Sequence, residues 1–179
     1  MASSIVSIDV KEFLNKIAKT EDHKNACKHF ETFLNPTLKP TLPFVLRNLS
    51  FSIKDEELKY KLYTLLYREF GGDTELQDYL KEYVEQLITD PNESLLELVT
   101  AMVEECSSEF GKEEKELMKK FFNAQLLHSG AFVRLLNACI VWDHDFVPFA
   151  KPVLHEEKNF NQFSDELLEC KMLCTARTM

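Results

Sequence analysis

Apolar positions recur every three or four residues along almost the whole chain, the spacing that gathers side chains on one face of an α-helix. The first run is Val10, Phe13, Leu14, Ile17 and Ala18, and it comes after Asp9 and Glu12, whose offset resembles a capping box. A second run, Ala26, Phe30, Phe33 and Leu34, stops at Asn35-Pro36, because the residue before a proline avoids helical angles. A proline-punctuated connector then reaches Pro43. From there Thr41 is placed to cap a short helix through Leu42, Val45, Leu46 and Leu49, with Pro43 in its first turn.

The segment Asp55 to Phe70 carries two apolar stripes. Leu58, Leu62, Leu65 and Leu66 form one, and Tyr60, Tyr63 and Tyr67 form the other. Such a helix is either packed on two sides or offers its tyrosines to a partner. Gly71-Gly72 should end it in a left-handed cap, and Asp73-Thr74 open a run with Leu76, Leu80, Tyr83, Val84, Leu87 and Ile88 inward. Asp90-Pro91-Asn92 breaks that run, and Asn92 caps the next, in which Leu95, Val99, Met102, Val103, Cys106 and Phe110 face inward and Gly111 closes the helix. Lys112 to Leu127 starts charged and continues through Leu117, Met118, Phe121 and Phe122. Beyond Ser129-Gly130, the stretch Ala131 to Trp142 is polar only at Arg134 and Asn137, and a helix apolar nearly all round belongs in the middle of a fold. A less regular segment holding Pro148 and Pro152 precedes a last helix, about Asn159 to Cys174, and residues 175–179 are expected to fray.

These elements predict an all-α fold, a single domain over residues 1–179 of about eight to nine helices in antiparallel pairs. Helix starts near residues 9, 41, 73 and 112 fall at intervals within the range of helical repeats. That is compatible with a HEAT-like stack or a helical bundle. No tetratricopeptide or ankyrin signature is present. Four glycines and six prolines in 179 residues agree, since a β-rich chain needs more turn residues.

The net charge of −9 is uneven. Residues 1–70 hold 11 basic against 9 acidic side chains, whereas residues 71–179 hold 10 against 21. The acidic part repels phosphate backbones, so nucleic acid is disfavoured as a partner. Five cysteines, the first three within apolar runs, predict reduced core thiols and an intracellular location, cytoplasmic or nuclear. Neither a secretory leader nor a membrane span is expected from the apolar pattern.

Four constellations carry candidate chemistry. In Trp142-Asp143-His144-Asp145-Phe146 a histidine stands between two carboxylates, a set that can bind metal or act as a general base. Metal-dependent phosphohydrolases of the His-Asp class use such a dipeptide but need two further ligands, and only His128 and Asp165 offer themselves. Otherwise the two aspartates simply turn the chain and cap the next segment. Lys24 and Lys28, with His23, His29, Lys16 and Lys19 nearby, make a basic face suited to an acidic peptide or phosphate, including that of RNA, or merely to water. Cys170 and Cys174, four apart, do not match the usual redox or zinc spacing.

Arg134 and Asn137 share one face of the central apolar helix. Arg134 either pairs with neighbouring acids such as Glu104 or Glu105, or stands on a groove floor to receive an acid from a bound helix. Bcl-2-type apoptosis regulators use the second logic, but their Asn-Trp-Gly-Arg signature is absent. No glycine-rich phosphate loop or nucleophile elbow occurs, and no cofactor is expected. The chain is therefore expected to be a non-enzymatic adaptor or scaffold. It binds a peptide or amphipathic helix of another protein, with Tyr60, Tyr63, Tyr67, Arg134, Lys24 and Lys28 as contacts. The alternatives are a metal-dependent hydrolase centred on His144 and Asp145, a small RNA-associated module and a Bcl-2-like helix binder.

Overall fold

The computed structural model describes residues 11–20, 22–34, 45, 49, 52–70, 79–127, 129–156 and 162–178. Several expected features lie outside the described residues: the Asp9 cap, the connector with Thr41 and Pro43, the Gly71-Gly72 cap, the Asp73-Thr74 helix start, His128 and the start of the last helix near Asn159. The described residues are all-α, without a strand. None of their helices is long and apolar enough to cross a membrane. The chain divides into two compact units, Met1–Leu76 and Gln77–Met179.

In the first unit, residues 11–18 form α1, which buries Leu14 and Ile17. Helix α2, His23–Phe33, begins where the Asp22 side chain accepts the Lys24 N–H and ends at Leu34, just before Asn35-Pro36. It buries Ala26 and Phe30 and packs on α3, Glu56–Phe70. The Asp55 carboxylate starts α3 by accepting the Leu58 N–H at 3.0 Å. Both stripes of α3 are interior: Leu58, Leu62 and Leu66 are buried, and so are Tyr60, Tyr63 and Tyr67.

The second unit contains α4, Leu80–Thr89; α5, Glu93–Cys106; α6, Lys112–Ala124; α7, Gly130–Trp142; the short α8, Ala150–Leu154; and α9, Ser164–Thr178. Asn92 caps α5 as expected, accepting the Leu95 N–H at 2.9 Å, and Ser129 caps α7 by accepting the Phe132 N–H at 3.2 Å. Alternate helices pair, α4 with α6, α5 with α7 and α7 with α9, so α7 lies between two neighbours. That position is why α7 is apolar on nearly every side: from Ala131 to Ile140 only Arg134 escapes burial.

Two boundaries differ from the sequence expectation. Helix α5 stops at Cys106 and tightens into a 3-10 turn, Ser107–Glu109, while Gly111 begins α6 with its N–H donated to Glu114 Oε2 at 2.9 Å. Gly111 is thus a start rather than a stop, the reciprocal carboxylate of Glu114 being what the helix N-terminus needed. At the other end, α9 carries on through residues 175–178 instead of fraying. The Arg177 guanidinium ties its last turn down by donating to the Val141 carbonyl at the end of α7.

Against the other side of α7 lies an aromatic cluster. Phe132 meets Phe122 edge-on at 5.6 Å, Phe122 meets Phe146 at 6.0 Å, and Trp142 stacks on Phe146 at 5.5 Å. A second 3-10 turn, His144–Phe149, supplies Phe146 and Phe149 to the cluster.

Candidate functional site

Over the C-terminal half of α7, between α5 and α9, a cleft of about 510 Å³ opens. Its floor is Arg134, Asn137, Ala138 and Val141. Val103, Glu104 and Ser107 form one wall, and Glu169 of α9 stands on the other. Glu169 also borders a shallower hollow on α9 with Leu168 and Met172. Val141 in the cleft is 55% exposed, and Leu168 and Met172 in the hollow on α9 are 59% and 65% exposed.

The polar groups of the floor tie the three helices together. Arg134 donates through Nη1 to Glu166 Oε1 of α9 at 3.0 Å and through Nη2 to Glu97 Oε1 of α5 at 3.2 Å. In place of Glu104 and Glu105, the acids expected from sequence, Arg134 takes Glu97, two turns earlier on α5, and Glu166 of α9, as its guanidinium leans back along α7 the way helical side chains do. Gly130 makes room for this clasp: a Cβ there would come within 3.2 Å of Glu166 Oε1 and 3.3 Å of Arg134 Nη1. Asn137, only 4% exposed, donates its Nδ2 to the Glu166 backbone carbonyl at 3.1 Å. Its Oδ1 has no hydrogen-bond partner, alone among the buried side-chain polar atoms of the described residues.

The Asp143-His144-Asp145 group has a different character, largely exposed and salt-bridged. His144 Nδ1 is 3.5 Å from Asp143 Oδ1 and its Nε2 3.3 Å from Asp145 Oδ1, with one ligand atom from each residue within 4.8 Å of the others. Both carboxylates are already engaged by ammonium groups of α6: Lys115 donates to Asp143, and Lys119 sits 3.4 Å from Asp145. A divalent ion would have to displace both lysines, so the donor set fits a metal poorly. Asp143 also accepts the Asp145 N–H at 2.8 Å and so caps the 3-10 turn.

Asp143 sits below the usual carboxylate range, first because of the hydrogen bond from Lys115 and then because of the Asp145 N–H. With a folded pKa below the unfolded value of about 3.9, its contribution to stability is complete above that value and is lost as pH falls through the lowered folded pKa. Lys115→Met is expected to move the Asp143 titration up toward an ordinary carboxylate, as read by NMR of the side-chain carboxyl carbon. An unmoved titration would show that Lys115 is not its cause.

The thiols offer no nucleophile. Burial pushes Cys106 up to about 11 and Cys170 up to about 12, and Cys139 is raised by burial as well, so all three are protonated at neutral pH. All five cysteines are free of disulfides.

The six contact residues expected from sequence do not form one surface. Tyr60, Tyr63 and Tyr67, expected as contacts, are 8%, 5% and 0% exposed and fill the interior, since α3 is apolar on two faces and buried on both. Lys24 and Lys28 lie on α2, and both are exposed. His23 turns to Asp55 at 3.3 Å. Arg134 alone reaches the cleft, and it arrives there already paired. Sequence reasoning missed Val141, Leu168, Met172 and Glu169. Leu168 and Met172 are four apart on a helix whose core stripe is Phe163, Leu167 and Cys170, and this second apolar stripe was the available signal. No known protein family matches the chain, and neither a curated protein nor a solved structure shows detectable similarity to it.

Proposed function

We propose that the chain is a non-enzymatic protein-interaction module, an adaptor or regulatory scaffold, whose cleft over α7 receives a peptide or amphipathic helix of a partner protein. The observation that carries it is the cleft holding exposed Val141, next to a hollow on α9 where Leu168 and Met172 are exposed and with which it shares Glu169. A cleft with helical walls and a partly apolar floor suits a helix that presents residues at three- and four-residue spacing. Large apolar groups left in water at one place mark a surface with a use. The setting we propose is intracellular, cytoplasmic or nuclear, where buried cysteines such as Cys106, Cys139 and Cys170 stay reduced.

A photo-crosslinking amino acid at Val141 or Met172 tests this in cells. It is expected to capture the same partner segment from both positions and not from Glu82, an exposed residue of α4 outside the cleft. Capture from Glu82 at equal yield, or none from the cleft, sinks the proposal. A metal-dependent hydrolase centred on His144 and Asp145 is the second reading, favoured by the closeness of the three donor residues. Stoichiometric Mn, Fe or Zn in protein purified without chelators would put it first.

A further inference from the structure

We infer that the cleft over α7 takes a cationic amphipathic helix, one whose apolar face is flanked by lysine or arginine; this rests on the protein-interaction reading above and names the chemistry of its partner. Both rims are acidic: Glu104 stands on the α5 side and Glu169 on the α9 side. Two arginines lie nearby, and both are engaged. Arg134 is clasped between Glu97 and Glu166, and Arg177 donates to the Val141 carbonyl. An acidic ligand would therefore find the nearby arginines paired and like charge on both rims, whereas a basic one meets charge of the opposite sign there.

Two independent features favour the same sign. Helices α5 and α7 both bring their C-terminal turns to the cleft, through Val103 and Ser107 on one side and Val141 and Trp142 on the other. Helix C-termini carry partial negative charge and attract cations. On the floor, Asn137 Oδ1 is an acceptor without a donor, and the Nδ2 bond to the Glu166 carbonyl fixes the amide so that the oxygen cannot be exchanged for the NH2 group. Lysine and arginine side chains are pure donors and suit it. A second copy of the chain would bring the same acidic rim to a two-fold contact, and an anionic membrane would be repelled by it.

The test uses the full chain and a pair of labelled synthetic amphipathic helices sharing a leucine face, one flanked by lysines and the other by glutamates. By fluorescence anisotropy the lysine peptide is expected to bind at least about tenfold more tightly. The double variant Glu104→Lys, Glu169→Lys is expected to weaken that peptide by about tenfold or more. Both positions are exposed, so the fold should survive, as checked by circular dichroism. A control with the same charge change, Glu82→Lys with Glu85→Lys on α4, is expected to bind as the parent does. Equal weakening in the control overturns the inference, because binding would then track overall charge. Preference for the glutamate peptide overturns it too. If neither peptide binds while crosslinking from Val141 still captures a partner protein, the charge inference fails and the interaction reading stands. If both fail, both are wrong.

Discussion

Phe146→Ala is expected to destabilise the second unit by about 3–5 kcal/mol, the range for removing a fully buried phenylalanine. The ring is 0% exposed, stacks on Trp142 at 5.5 Å with planes 26° apart, and meets Phe122 edge-on at 6.0 Å and Phe149 at 6.2 Å. Its loss leaves a hole that neighbours on a 3-10 turn and on two helices cannot close together, and the residual void adds to the lost transfer energy. A domain of this kind is stable by roughly 5–15 kcal/mol, so a large share of the total goes. Trp142 is the single tryptophan of the chain, and its emission reports the transition directly in chemical denaturation. Phe149, half-buried, gives the contrast: Phe149→Ala should cost clearly less. If the two variants lose equally, the 3-10 turn does not clamp the cluster as its packing implies.

Tyr67→Ala comes next, at about 3–5 kcal/mol by the same mechanism. Tyr67 is 0% exposed on α3, where Leu62 and Leu66 on the other stripe are equally buried. The ring volume is interior, so its removal is felt as a lower melting temperature. Lys24→Ala, exposed on α2, should stay within about 0.5 kcal/mol of the parent. Thermal circular dichroism separates the two outcomes. Below the variant's melting point, capture of a partner from Val141 should persist, because Tyr67 does not line the cleft. Loss of capture at a temperature where the variant is fully folded would restore the tyrosines to a binding role.

The Arg134 clasp calls for a smaller expectation. Its guanidinium is 42% exposed, and exposed ion pairs contribute about 1 kcal/mol or less. Its importance is geometric, since one side chain on α7 fixes both walls of the cleft through Glu97 and Glu166. Those two acids sit on helices 37 and 32 residues away in sequence. Nothing local distinguishes Glu97 and Glu166 from Glu104 and Glu105, so the pairing depends on how α5 and α9 come to rest on either side of α7.

What the sequence determined by itself is the set of helices and the identity of the central one. Asn92 and Ser129 each cap a helix through their own side chains, α2 stops at its C-cap Leu34 just before Asn35-Pro36 in the sequence, and the run Ala131 to Trp142 has no polar face to give to water. These are local effects, carried by capping, proline geometry and three-to-four spacing within a few residues. Only the tertiary structure decided which apolar stripe was inside. The Tyr60, Tyr63 and Tyr67 stripe went in, while Leu168, Met172 and Val141, equally apolar on paper, stayed out. A stripe is buried only when another helix arrives to cover it, and that depends on contacts between residues far apart in the chain. The same reason placed the cleft over α7 between α5 and α9, an opening that no local pattern of side chains announces.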